Sequence, residues 1–143
     1  MAYIKTKVLY RAYFIQELIM KIIKTHWELK VFQKAFDASM QIFEISKSFP
    51  KEEKYSLTDQ IRRSSRSVAA NLAEAFRKRK YPKYFVAKIV DCESEAAETQ
   101  VWLKFSDKCE YVKEEETNIL IKEYDEILAM LVKMRNQPDK WSI

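Results

Sequence analysis

Apolar residues recur every three or four positions along most of this chain, the period of an amphipathic α-helix. Leu29, Phe32, Phe36, Met40 and Phe43 mark one such face, widened by Val31, Ala35 and Ile42, and predict a helix from about Glu28 to Lys47. Pro50 prevents its clean continuation, and Pro50-Lys51-Glu52-Glu53 reads as one short turn. A second helix starts after Ser56, where Ser56-Leu57-Thr58-Asp59 approximates a capping box, and runs to about Arg79. A third starts near Pro82 and runs to about Tyr111. Glu114, Glu115 and Glu116 open a fourth at the positive end of its dipole; Leu120, Tyr124, Ile127, Leu131 and Met134 give its core face, and it stops before Pro138. Four amphipathic helices with short connections predict an all-α, up-down-up-down four-helix bundle over residues 25–137, with a tail at 138–143.

Residues 1–24 are an N-terminal extension, helical or disordered. Val8, Ala12, Ile15, Leu18, Ile19, Ile22 and Ile23 recur at helical spacing. Residues 1–19 read either as an appended helix or as upstream sequence included by a misplaced start, because "MKIIKTHWELKVFQKAF" from Met20 reads as a start of its own. The apolar run "VLYRAYFIQELIMKII" is broken by Arg11, Gln16, Glu17 and Lys21, so neither a membrane span nor a signal peptide is expected.

Composition sharpens the fold class. The chain has 143 residues, one domain's worth, and no glycine, which sheets and hairpins need for positive-φ turns and long helices do not. Cys92 and Cys109 lie on one predicted helix, about 25 Å apart at 1.5 Å per residue, too far to bridge. They read as two thiols without a metal or redox role, in keeping with a cytoplasmic protein.

The second helix divides into three stripes when its residues are spaced at about 100°. Leu57, Ile61, Val68, Leu72, Ala75 and Phe76 form the core face. Arg62, Arg63, Arg66 and Arg77 lie opposite, and Lys78, Arg79 and Lys80 extend the charge beyond them. Ser64, Ser67, Asn71 and Glu74 form the third, a polar packing stripe that reaches toward Glu95, Glu98, Thr99 and Gln100 of the third helix. Residues 51–80 hold nine Lys/Arg against four Asp/Glu, whereas acids dominate residues 91–130. A basic patch of this kind suits nucleic-acid phosphates or is a solvated helix face. With no zinc finger, RNA-stacking signature or helix-turn-helix, binding of RNA or DNA would be backbone-led.

The third helix is apolar on two sides. Phe85, Ile89, Cys92, Ala96, Thr99 and Leu103 form one stripe; Val90, Ala97, Val101 and Phe105, with Trp102 and Cys109 beside them, form another. No helix of a four-helix bundle is central, so the second stripe is expected at a homo-oligomer interface, the alternative being that residues 1–24 fold back over it. Catalysis and metal binding are not expected. His26 is the single histidine, placed outside the main helices and read as exposed, and a di-metal bundle needs Glu-x-x-His pairs. No cofactor is expected either.

The segments "WELKVFQKAFD", "SFPKEEKYSLTDQIRRSSRSVAANLAEAF" and "DCESEAAETQVWLKF" together resemble the small bacterial four-helix-bundle proteins encoded in intervening sequences of the large-subunit ribosomal RNA gene, sometimes labelled S-twenty-three ribosomal proteins. The resemblance runs from about Trp27 to Met134. It is specific at Gln60-Ile61-Arg62-Arg63, Ser67, Asn71-Leu72-Ala73-Glu74 and Glu98-Thr99. That family is similar in fold and assembly to the accessory protein of diversity-generating retroelements. The resemblance implies an up-down bundle, a pentameric ring and a role beside RNA, DNA or a protein partner such as a reverse transcriptase. This chain departs from it at Ala75 and Glu110, where many relatives carry glycine. The second departure removes an easy left-handed turn after the third helix.

Overall fold

The computed structural model describes residues 2–143; Met1 and the side chains at positions 2, 3, 16 and 19–21, including the predicted apolar position Ile19, lie outside the described residues. All described secondary structure is helical. Helix α1 spans Ala2–Ile22, α2 Lys30–Ser46, α3 Leu57–Arg77, α4 Pro82–Lys108, α5 Glu114–Asn136 and α6 Pro138–Trp141. The bundle is α2 to α5. Its helices are joined by short loops, and α2 packs on α3, α3 on α4, α4 on α5 and α5 back on α2. That closed order of neighbours is the up-down-up-down bundle the periodicity predicts.

The core sits where these four helices meet. Ile42, Ile61, Val68, Leu72, Phe85, Ile89, Leu103, Tyr124, Ile127 and Leu131 are all buried. On α3, α4 and α5 the predicted core faces are the observed ones. On α2 the face is rotated. Phe36 and Met40, predicted inside, are 41% and 45% exposed, while Val31, Ala35, Ala38 and Ile42 form the contact. Ala35 and Ala38 are fully buried beside Phe32 and Ile42, while Phe36 and Met40 stand at the rim. The sequence pattern weighs residues by apolarity, whereas packing selects by volume as well.

Two chain ends differ from expectation in a similar way. Ser56 makes no side-chain cap on α3. Glu53 does so instead: its Oε2 accepts a hydrogen bond from the Leu57 N–H at 3.1 Å, and its Oε1 accepts one from the Tyr111 hydroxyl at 3.0 Å. One carboxylate thus ties the start of α3 to the loop after α4. At the other end α4 stops at Lys108, three residues before the predicted end. Glu110 takes a φ of 62°, the Tyr111 N–H bonds the Ser106 carbonyl at 2.9 Å, and the Glu110 N–H bonds Asp107 at 2.9 Å. These two bonds close a Schellman turn, so the left-handed position survives without glycine, at a cost of about 1–2 kcal/mol.

Residues outside the bundle do not cover its second apolar stripe. Trp141 of α6 stacks on Phe85, with ring centroids 6.2 Å apart, so the C-terminal tail is packed on the fold. Among the described elements α1 packs only on α6, where Lys140 lies over the Tyr13 ring at 4.5 Å. The fold-back alternative therefore does not hold. Ile4, Val8, Leu9, Tyr10, Phe14 and Leu18 of α1 stay exposed. Among the described residues no helix is long and apolar enough to cross a membrane.

Candidate nucleic-acid interface

Helix α3 presents its three stripes to three surroundings. The core stripe is buried. The basic stripe faces out, with Arg63, Arg66, Arg77, Lys78 and Lys80 exposed. Arg62 and Arg79 are half-buried and held by the fold. Arg62 Nε donates to Ser46 Oγ at 2.7 Å and its guanidinium lies over the Phe43 ring at 4.9 Å; Arg66 lies over the same ring at 5.7 Å. Phe43, predicted as core, is thus a half-buried platform that orients two arginines. Arg79 Nε donates to the Phe76 carbonyl at 2.8 Å and sits 3.6 Å over the Phe76 ring, where burial lowers its pKa below the ordinary value. It remains a cation, since arginine is protonated throughout the physiological range.

The charges on this stripe form no close ion pair with any described residue, although Arg63 acts on Glu95 and Lys78 on Glu74 electrostatically. Among the described residues, no carboxylate lies within 4.0 Å of the seven cations Arg62, Arg63, Arg66, Arg77, Lys78, Arg79 and Lys80. Five cations elsewhere do form ion pairs, among them Lys34 with Glu123 and Glu126, Lys88 with Glu74, and Arg135 with Glu93. The stripe is also two clusters rather than one ladder. Eleven residues separate Arg66 from Arg77, about 17 Å of helix. Ala70 and Ala73 occupy the outer face between them.

The polar stripe meets α4, partly through other partners than those predicted. Ser64 and Thr99 are buried, and their hydroxyl oxygens are 2.9 Å apart; Thr99 Oγ1 is also 2.8 Å from the Glu95 carbonyl. Asn71 does not meet Glu95, Glu98 or Thr99. Its amide nitrogen donates to the Ser67 carbonyl and hydroxyl, each at 3.0 Å, and its Oδ1 accepts from Lys88 Nζ at 3.2 Å. Lys88 also pairs with Glu74 at 2.7 Å, which raises the lysine pKa and lowers that of the glutamate. Nothing in the sequence pointed to Lys88, because the contact depends on how the α3–α4 turn brings the two helices into register. Glu98 turns away and accepts from Trp102 Nε1 at 3.0 Å, and Gln100 turns to α5, donating to the Ile121 carbonyl and to Asp125. Glu95 sits between the two seams; burial raises its pKa, with the Glu98 carboxylate adding to the effect.

On the far side of α4, Val90, Val101 and Phe105 are 42%, 49% and 53% exposed; Ala97 is exposed and Trp102 half-buried. Phe105 and Trp102 lie with ring centroids 5.8 Å apart. Cys109 is exposed and Cys92 is buried, its thiol pKa pushed up by burial. Among the described residues no three His, Cys, Asp or Glu side chains are grouped to hold a metal ion. His26 is not the exposed residue predicted: it is half-buried in a one-turn helix at residues 26–28, its ring 4.8 Å from that of Phe32.

The model of the 23S rRNA-intervening sequence protein family matches residues 27–133. A crystal structure from Bacteroides thetaiotaomicron, of a protein with unknown function from the S23 ribosomal protein family, is similar with a TM-score of 0.67. The two are 27% identical, over 73% of this chain and 97% of that one. No curated protein matches the chain. The family match begins at Trp27, just before α2, and closes at Lys133 in the last turn of α5, so that it spans α2, α3, α4 and nearly all of α5. On that match the chain belongs to the 23S rRNA-intervening sequence protein family.

Proposed function

We propose that this protein is a non-enzymatic homo-oligomer that binds RNA or DNA through the outer face of α3. The observation that carries the reading is the grouping of seven cations on and just beyond one helix face, with no carboxylate within 4.0 Å of them among the described residues. Phosphates supply the missing counter-charges, and the release of their condensed ions drives binding. Arg63, Arg66, Arg77, Lys78 and Lys80 make the contacts, while Arg62 and Arg79 stiffen the two clusters. The reading is one of backbone recognition with weak sequence preference.

The second stripe of α4 supports the oligomer. Val90, Ala97, Val101, Phe105 and the edge of Trp102 form a line of apolar surface on one helix, and a second copy covers it. A pentameric ring is the assembly implied by the resemblance to the retroelement accessory proteins. A ring would repeat the α3 clusters and multiply weak contacts along one nucleic acid. The alternative reading is a cytoplasmic protein-interaction or scaffold module in which α4 and the bundle faces recruit a partner such as a reverse transcriptase.

Native mass measurement with and without a structured RNA tests both parts. A multimer of the chain that gains RNA mass at low salt supports the proposal. A monomer that binds no RNA overturns it.

A further inference from the structure

Beside Arg77 and Lys78 of the second cation cluster lies a groove of about 560 Å³, walled by residues 24–27 on one side and the last turns of α3 on the other. Trp27, Ala73 and Phe76 give it apolar walls, and Lys24, Arg77 and Lys78 stand around it. Glu74 also lines it, but its carboxylate is taken up by Lys88 at 2.7 Å. The net charge offered to an occupant is therefore positive.

Trp27 is 56% exposed, which is unusual for so large an apolar side chain, and it is held by its surroundings. Its ring meets Phe32 at 4.9 Å and Phe36 at 5.7 Å, both edge to face, and His26 at 5.2 Å. Its carbonyl accepts a hydrogen bond from Gln33 Nε2 at 2.8 Å. Opposite, Ala73 contributes only a methyl group to the wall, so a flat ring can approach α3 at that point. A fixed aromatic ring with cations around it suits an unstacked nucleobase whose flanking phosphates meet the cations. Inside a duplex, bases are paired and stacked, and cannot enter.

We infer that this groove takes a base of single-stranded RNA or DNA, so that single strands rather than duplexes are the ligand class of the α3 face. The inference rests on the proposed binding of nucleic acid by α3 and adds the strandedness that phosphate contacts alone do not set.

The test uses the full chain with labelled 12-nucleotide oligo-U, oligo-dT of the same length, and a 12-base-pair duplex, by fluorescence anisotropy at low salt. The probes are pyrimidine strands because their bases stack weakly on one another. The wild type should bind single strands about tenfold or more tightly than the duplex, and the tighter of the two strands identifies the sugar. Trp27→Ala should weaken single-strand binding about 5- to 100-fold with duplex binding unchanged, and Trp27→Phe, which keeps an aromatic face, should restore most of it. Equal binding of all probes, unaffected by Trp27→Ala, overturns the groove assignment and leaves the phosphate reading of α3 standing. An equal loss on all probes in both variants also overturns it, by making Trp27 a folding residue. No binding of any probe overturns both readings.

Discussion

Single residues carry several of the fold's junctions, and their pH behaviour follows from their partners. The Glu53 carboxyl is held below the usual 4.5 by the Leu57 N–H and then by the Tyr111 hydroxyl. A depressed carboxylate stabilises the fold above about pH 4.5, and that contribution is lost as pH falls through the folded value. Glu95 behaves in the opposite sense. Its raised pKa means the folded state favours the proton, so its contribution is present below about pH 4.5 and is lost as pH rises through the folded value. Thermal melts should therefore show Glu53→Gln losing stability above pH 5 and converging with the wild type near pH 3. Glu95→Gln should match the wild type near pH 4 and exceed it at pH 7. Glu110→Gly should raise the free energy of unfolding in denaturant by about 1 kcal/mol, because its φ of 62° strains any residue with a Cβ. The sequence made that position legible only through the glycine of relatives. The Glu53 cap was not legible, since a carboxylate four residues before its N–H partner, and 58 from its tyrosine, matches no local capping pattern.

At the scale of elements, helix identity and core faces follow from the 3.6-residue period, and three of the four bundle faces are read correctly from it. Helix α2 is the exception for a reason of size: Ala35 and Ala38 are weak signals in an apolar pattern, yet both are fully buried while Phe36 and Met40 are not. The α3–α4 seam shows what a period cannot deliver. It predicts that Ser64, Ser67, Asn71 and Glu74 form a line, but not that Lys88 is the residue bridging Asn71 and Glu74. Ser64 and Thr99 are the buried hydroxyl pair of this seam. Thr99→Val should cost about 1–3 kcal/mol in chemical denaturation by leaving Ser64 Oγ with its partner removed. Adding Ser64→Ala should cost less than the two single losses combined, because both report on one contact.

The whole molecule presents two unused surfaces, the cations of α3 and the second apolar stripe of α4. Both were legible as patterns, because charge and apolarity are written residue by residue. What they contact was not, since a solvated arginine face and a phosphate-binding one share a sequence. The fold adds that no carboxylate among the described residues lies within 4.0 Å of the seven cations. Replacing Val101 and Phe105 together with lysine should reduce the native mass to that of the monomer while the secondary structure is retained by circular dichroism, because both side chains already stand in solvent in the isolated chain. Contact between the clustered cations of α3 and phosphate is central to the proposed function. The most direct measurement is the slope of log K against log salt concentration for oligonucleotide binding, in the wild type and in the Arg63→Ala, Arg66→Ala double variant. Each phosphate contact contributes about 0.7–0.9 to that slope. Phosphate contact should give a steep negative slope that becomes shallower by about 1.5 in the double variant. An affinity that is independent of salt, or a slope the variant does not change, would contradict it.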